Sequence, residues 1–332
     1  MIKSSASNIF SFISRNKVRV LFYHRVNKNG GYLGIDTNVF EQQIEYLSGN
    51  FNLISLKDFF KILNRQIIVK KPLLITFDDG YLDNYTDAYP ILKKYSAPAV
   101  VFLTTAFIDN KIWIWHDIYR HIVENTPLKT IDVNLNGNRY KWRFENNLEK
   151  RKVRRNIYYL YKDLPYSERI ERLRDLAMLL KVDIPEHPTD SYAPLSWDNV
   201  KEMSKNNIEF GSHTCTHEIL SKLKNEDAHY ELLQSKKKIE EELKSEVNAF
   251  AYPNGQDEDF TEETKILLKK CGYKIAFTTL NGLNDATTDK FSIKRISAGD
   301  RFGDSFFSEV SGLNIIKEKI VRFPRQISAC LK

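Results

Sequence analysis

The sequence predicts an α/β fold built on a parallel sheet. Short runs rich in Val, Ile, Leu, Phe and Thr alternate with amphipathic segments from Val18 to Leu103, and the alternation resumes from Trp197 to Ser297. One run, Leu73–Phe77, reads LLITF after Pro72 and has no polar face, which suits a strand buried on both sides. It ends on Asp78, Asp79 and Gly80, and a later run, Ile208–Ser212, ends on His213 and His217. In barrels and open α/β sheets, chemistry sits at that carboxyl end of the strands.

In chain order, Val18–His24 reads as a first buried strand ending at His24 and Arg25, and Lys28–Gly34 as a Gly-rich loop. Thr37 is read as the N-cap of a helix whose Phe40, Ile44 and Leu47 share one face. Asn52–Ser55 is a short strand, Leu56–Leu63 a helix, Asn84–Tyr95 a helix after the LLITF strand, and Pro98–Leu103 another strand. Residues Thr104–Pro194 break the rhythm and read as an α+β insertion. Within it, Ile112–Val123 is an aromatic helix and Ile131–Phe144 a hairpin turning at Asn136-Gly137. Asn146–Leu164 and Ser167–Leu180 are two charged helices separated at Pro165. The basic cluster Lys150, Arg151, Lys152, Arg154, Arg155 is either a solvated helix face or a contact for acidic groups. The α/β pattern then returns: helix Trp197–Asn206, strand Ile208–Ser212, helix Glu226–Lys244, strand Val247–Tyr252, helix Thr261–Lys270, strand Tyr273–Thr279 and a last strand, Phe291–Ser297.

Length would allow two domains, but barrels of about 200 to 250 residues are routinely one. Net charge is +7 and the pI is near 9.0, a basic excess that fits an anionic surface or substrate as well as ordinary solubility. No zinc-finger spacing, RNA-binding signature or long basic run is present, which argues against nucleic acid. Cys215, Cys271 and Cys330 are odd in number and widely spaced, so a reducing compartment is expected rather than a disulfide framework. Residues 1–17 form a leader that lacks the features of a signal peptide, and no run approaches a membrane span. The chain is therefore expected in the cytoplasm. The tail, residues 313–332, is basic and amphipathic, which favours peripheral contact with the inner face of a membrane.

His213 and His217, four residues apart after a strand, can turn two imidazoles onto one point. With one carboxylate they make a His, His, Asp set suited to zinc or another divalent transition metal with an open position. The second carboxylate of the Asp-Asp pair is then free to take a proton from the attacking water. Cys215, two residues after His213, is expected to point elsewhere as a small buried thiol.

TFDDG followed by SHTCTH resembles the first and second motifs of the NodB-homology polysaccharide deacetylases. FYHRV at Phe22–Val26, WDNV at Trp197–Val200 and FAYPNG at Phe250–Gly255 are similar to that family as well, and the likeness spans residues 18 to 300. It implies a distorted (β/α) barrel over residues 18–312, with the insertion at 104–194 inside it. It also implies removal of N- or O-acetyl groups from sugars. By the family's pattern Asp78 is the base, and Asp79, His213 and His217 hold one divalent metal ion, zinc first. The chain departs from the pattern at Ala251, where relatives usually carry the arginine that orients the base. Arg25 and Arg295 are the candidates to replace it, and Tyr252-Pro253 the stretch that faces substrate. Trp113 and Trp115 are read as core before sugar platform, and His116, His121, His187 and His229 as structural or surface groups. No histidine follows His229, so the last strand cannot supply a general acid. His24 takes that role if first and last strands are neighbours. The expected activity is metal-dependent N-deacetylation of an acetylated sugar or envelope polysaccharide precursor. A lipid-linked aminosugar deformylase and a non-catalytic carbohydrate-binding barrel are the alternatives.

Overall fold

The computed structural model describes residues 16–28, 34–135 and 137–312. The tail at 313–332, nearly all of the leader, most of the Gly-rich loop and Asn136 of the hairpin turn lie outside those residues. Among the described residues no helix is long and apolar enough to cross a membrane.

The chain opens with β1 (Arg19–Tyr23), β2 (Arg25–Asn27) and β3 (Gly34–Asp36), then α1 (Thr37–Asn50) and β4 (Asn52–Leu53). There follow α2 (Leu56–Leu63), β5 (Pro72–Phe77), a π-helical turn leading into α3 (Tyr89–Lys94), and β6 (Ala99–Leu103). Next come α4 (Thr105–Ile108), α5 (Trp115–Asn125), the antiparallel pair β7 (Thr130–Leu135) and β8 (Asn138–Arg143), α6 (Asn147–Tyr161) and α7 (Tyr166–Leu179). The last part holds α8 (Trp197–Ser204), β9 (Ile208–Ser212), α9 (Asn225–Leu243), β10 (Ala249–Ala251), α10 (Glu262–Lys270), β11 (Ile275–Phe277), β12 (Ile296–Ser297) and α11 (Asp304–Ser311).

An eight-stranded sheet runs in the order β11-β10-β9-β6-β5-β1-β12, with β4 added at the start of β5. Its ladders are parallel. Ile296 pairs with Leu21 of β1, and three residues earlier Ile293 bridges to Phe277 of β11. The segment 293–297 thus closes the sheet into a distorted barrel, and first and last strands are neighbours. The last strand is shorter than Phe291–Ser297, because this segment is shared between two partners rather than paired along one.

Strand β5 shows why its sequence has no polar face. Leu73, Ile75 and Phe77 point into the layer between sheet and helices, with Phe40 and Ile44 of α1. Leu74 points the other way, into the barrel interior with Val20, Val100, Phe102 and Ala249. Phe59, Ile62 and Leu63 of α2 belong to that interior cluster and plug one end of the barrel. The floor is therefore apolar, and the polar strand ends gather at the opposite mouth. Residues 113–180 build a second apolar cluster around Trp115, Ile122, Ile157 and Leu173. Trp113 and Trp115 are both buried in it, Trp115 stacked on Tyr158, so neither serves as a sugar platform.

Local capping differs from expectation at one helix. Asp36, not Thr37, caps α1: its carboxylate accepts from Asn38 N at 2.9 Å and Val39 N at 3.3 Å. The Thr37 hydroxyl is used elsewhere, donating to Asp87 Oδ1. The aromatic helix begins only at Trp115, three residues after Ile112.

Candidate active site

The carboxyl end of β5 is tied down on three sides before its side chains act. Asp78 N donates to Tyr23 O, Thr104 N to Asp79 O and Leu195 N to Gly80 O. Asp79 is held at φ +76°, a left-handed conformation that Asp tolerates better than most residues. Gly80 follows at φ +90°, and a Cβ there would lie 2.8 Å from Ile108 Cδ1, so the motif needs a glycine.

This turn separates the two carboxylates. Asp78 points into the barrel against Arg295: Nη1 to Oδ1 and Nη2 to Oδ2 are both 2.7 Å, a bidentate pair. Arg295 is fully buried between the rings of Phe22 and Phe102, and its Nε donates to Thr278 O. Burial pushes the Asp78 carboxyl up, but Arg295 and His213 together outweigh it and hold the group below the usual carboxylate range. No arginine reaches Asp78 from position 251; the guanidinium that meets this carboxylate comes from the segment that closes the barrel.

Arg25 does not share this task. It belongs to β2, beyond the end of β1, where its Nε donates to Asp83 at 2.9 Å and its Nη2 to Ser191 O. Its guanidinium lies over the Tyr81 ring.

Asp79 points the other way. Its Oδ1 lies 3.2 Å from His217 Nε2 and 3.5 Å from His213 Nε2, and one ligand atom from each of the three residues falls within 4.8 Å of the others. The loop that brings the imidazoles together is not helical: Thr214 and His217 both have positive φ. Glu231 of α9 clamps it, accepting from Cys215 N, Thr216 N and the Thr216 hydroxyl. Cys215 itself turns outward to Glu231 O, and burial pushes its thiol up to about 12.

The His213 ring pairs its Nδ1 with Ala251 O at 2.8 Å. Donation there leaves Nε2 as a lone pair aimed at Asp79, the tautomer a metal ligand needs. Burial lowers His213 to about 4, so this ring is neutral at pH 7. Both Asp79 oxygens are buried and accept no hydrogen bond among the described residues. Burial works against ionising Asp79, but the imidazoles of His217, His24 and His213 outweigh it and hold the carboxyl below the usual range. An ionised carboxylate buried this way costs several kcal/mol unless a cation compensates it. Three converging lone-pair donors, two nitrogen and one oxygen, fit a divalent transition metal with an open coordination position.

His24 follows β1 directly, beside this set. Its backbone carbonyl accepts from Asn84 Nδ2, and its ring packs edge-on against Phe22. Burial lowers its pKa, and the opposing pull of Asp79 and Asp78 does not restore it. Tyr252 and Pro253 are both buried. The Tyr252 ring stacks on Phe260 and its hydroxyl donates to Phe291 O, so this stretch offers no side chain to a substrate. What it supplies is the Ala251 carbonyl that orients His213.

Sequence spacing does not single out His116. It stands on α5, in the insertion, with its ring 5.2 Å from that of His217. Tyr81 donates to Asp117 Oδ2 at 2.7 Å, so the 3.1 Å contact between Tyr81 Oη and His116 Nε2 is a donation from the imidazole. Burial lowers His116 well below the imidazole range and raises Asp117 to about 6. A second link from the insertion is the buried pair Arg169–Glu218, 2.7 Å, immediately after His217. The insertion therefore borders the mouth of the barrel. His121, His187 and His229 contact Asp183 O, Asn110 O and Cys271 Sγ and take no part.

One consequence is testable through Arg295. Arg295→Met leaves Asp78 buried without its partner, and the expected cost is roughly 3–5 kcal/mol in denaturant unfolding. Asp78 is depressed in the folded state, so its contribution to stability is complete above the ordinary value of 3.8 and is lost as pH falls below it. Without Arg295, burial dominates, the carboxyl rises, and the acid limb of the pH–rate profile moves to higher pH. An unmoved acid limb would show that Asp78 is not the group whose ionisation sets it.

A polysaccharide deacetylase family profile matches residues 68–276, more than half of the chain. The protein belongs to the polysaccharide deacetylase family. Among its relatives, a Bacillus subtilis protein, YxkH, whose name assigns it to the polysaccharide deacetylases, is 23% identical over 296 residues, covering 88% of this chain and 75% of its own. The poly-beta-1,6-N-acetyl-D-glucosamine N-deacetylase of Staphylococcus epidermidis is 25% identical over 232 residues, covering 59% and 72%. The fold resembles that of the Streptococcus pyogenes deacetylase PplD, solved with acetate, at a TM-score of 0.60 and 19% identity over 90% of this chain and 99% of that one. It also resembles IcaB from Ammonifex degensii at 0.55 and 19%, over 90% and 96%.

Proposed function

We propose that the protein is a metal-dependent carbohydrate N-deacetylase acting on an N-acetylated aminosugar, in a polysaccharide or its precursor. The observation that carries this is the division of labour between neighbouring aspartates: Asp78 locked to Arg295, Asp79 buried and facing two imidazoles. Asp79, His213 and His217 would hold the ion, zinc by preference for this donor set. A divalent ion held there supplies Lewis acidity, polarising the acetamide carbonyl and making water more acidic.

The chain's own residues do the rest. Asp78, ionised at neutral pH, takes a proton from the attacking water, and Arg295 fixes the direction of its lone pairs. His213 keeps its position through Ala251 O. His24 delivers a proton to the departing amine nitrogen as the C–N bond breaks and acetate leaves. Burial lowers the pKa of His24, so the alkaline limb of the rate profile falls below the 6.5 of an ordinary imidazole. Cytoplasmic action at the inner face of a membrane, argued from the composition of residues 313–332, belongs to the same proposal.

The test is product release from acetylated aminosugar oligomers by the zinc-loaded protein. Acetate is the expected product. Formate from a formylated aminosugar alone would make the protein a deformylase, and tight binding without release a non-catalytic binder. His24→Ala should keep metal and fold yet lose acetamide hydrolysis by roughly a hundredfold or more. An aryl acetate, whose leaving group needs little protonation, should suffer far less. Equal loss on both substrates, or none on either, removes His24 as the acid.

A further inference from the structure

The mouth of the barrel opens into a two-chambered groove. One chamber, about 890 Å³, carries His24; the other, about 540 Å³, carries Arg295. Phe22, Arg151, Ser297 and Asp300 line both, so Arg151 of α6 stands at the junction.

The cations of this groove differ in what answers them. Arg25 is held by Asp83 and Arg120 by Asp117. Arg295 is locked to Asp78, and Arg301 faces Asp300 at 3.9 Å. On α6, Lys150 and Arg154 both reach Glu124. Arg151 itself is exposed and makes no hydrogen bond or ion pair among the described residues. A solvated arginine on an outer surface would carry no message. This one lies inside the groove that also holds the proton donor, with its neighbour Arg154 already anchored. A guanidinium presents a planar fork of donors that matches carboxylate and phosphate oxygens.

We infer that the sugar presented to this site carries an oxyanion, a phosphate ester or a carboxylate, that binds Arg151 and sets which N-acetyl group reaches His24. This rests on the deacetylase reading and names the chemical class of its substrate.

The test uses the full-length, zinc-loaded chain carrying Asp78→Asn, so that turnover during titration is slow. The probes are N-acetylglucosamine, its 1-phosphate and 6-phosphate, and a carboxylated N-acetylaminosugar. At least one charged probe should bind about tenfold tighter than the neutral sugar, and Arg151→Ala should erase most of that advantage. Arg151→Lys should retain part of it, since charge survives and the fork does not. Preference for a phosphate ester assigns a phosphorylated precursor, and preference for the carboxylate an acidic polymer. Phosphate attached directly to the metal would survive Arg151→Ala, and that result would overturn the inference, as would equal binding of charged and neutral probes. In parallel, acetate release is measured with the chain that keeps Asp78. Release from a neutral oligomer with no Arg151 effect on the binding ratio sinks the inference and leaves deacetylation standing. An Arg151-dependent ratio with no release from any probe sinks deacetylation and leaves the oxyanion site.

Discussion

Asp78→Asn should lower turnover by roughly two to four powers of ten and leave the bound metal in place. The substitution keeps shape but removes the proton acceptor. Asn can still accept one hydrogen bond from Arg295, so the buried guanidinium keeps part of its pairing, at 2.7 Å in the native protein. Nothing in the Asp79, His213, His217 set depends on the Asp78 side chain for its orientation. His213 is held by Ala251 O, and the loop between the histidines by Glu231. Turnover by acetate release and metal content by elemental analysis should therefore diverge in this variant. Equal metal loss in Asp78→Asn and Asp79→Asn would mean that the two carboxylates are wrongly assigned.

Asp79→Ala, and separately His213→Ala, should lose the metal and with it turnover down to background. Removing one of three protein ligands leaves two imidazoles in Asp79→Ala, or one imidazole and one carboxylate in His213→Ala, too few to hold a divalent ion with an open position. The same change relieves a burden. Both Asp79 oxygens are buried with no hydrogen bond among the described residues, so the desolvation cost that Asp79→Ala removes offsets the strain of Ala at φ +76°, and the metal-free variant should unfold no more easily than the metal-free parent. A parent that gains thermal stability from zinc, beside a variant that gains none, is the expected pair of melting curves.

The strand ends were legible because they are local. LLITF has no polar face, DDG follows without a gap, and a strand buried on both faces can only show its polar residues at its ends. The histidine pair was legible for the same reason, although the loop between them is held by a glutamate sixteen residues past Cys215 that no spacing reveals. Closure of the barrel could be anticipated only as topology. That Arg295, rather than Arg25, meets Asp78 depends on where the closing segment crosses β1, and sequence order carries no such distance. His116 escaped because its partners come from elsewhere in the chain. Tyr81 and His217 are brought to it by folding, and a lone histidine in an aromatic helix looks like core. Tyr252 turns away from substrate because a residue at a strand end faces the barrel wall as readily as the mouth.

The most direct test of the account is a zinc titration of the chelator-stripped protein, read at once as bound metal and as acetate released from an N-acetylated aminosugar oligomer. The account predicts binding that saturates at about one ion per chain. Release should rise in step with occupancy, and Asp79→Ala should show neither. Release that persists in the stripped protein, or saturated metal at Asp79→Ala, would contradict it.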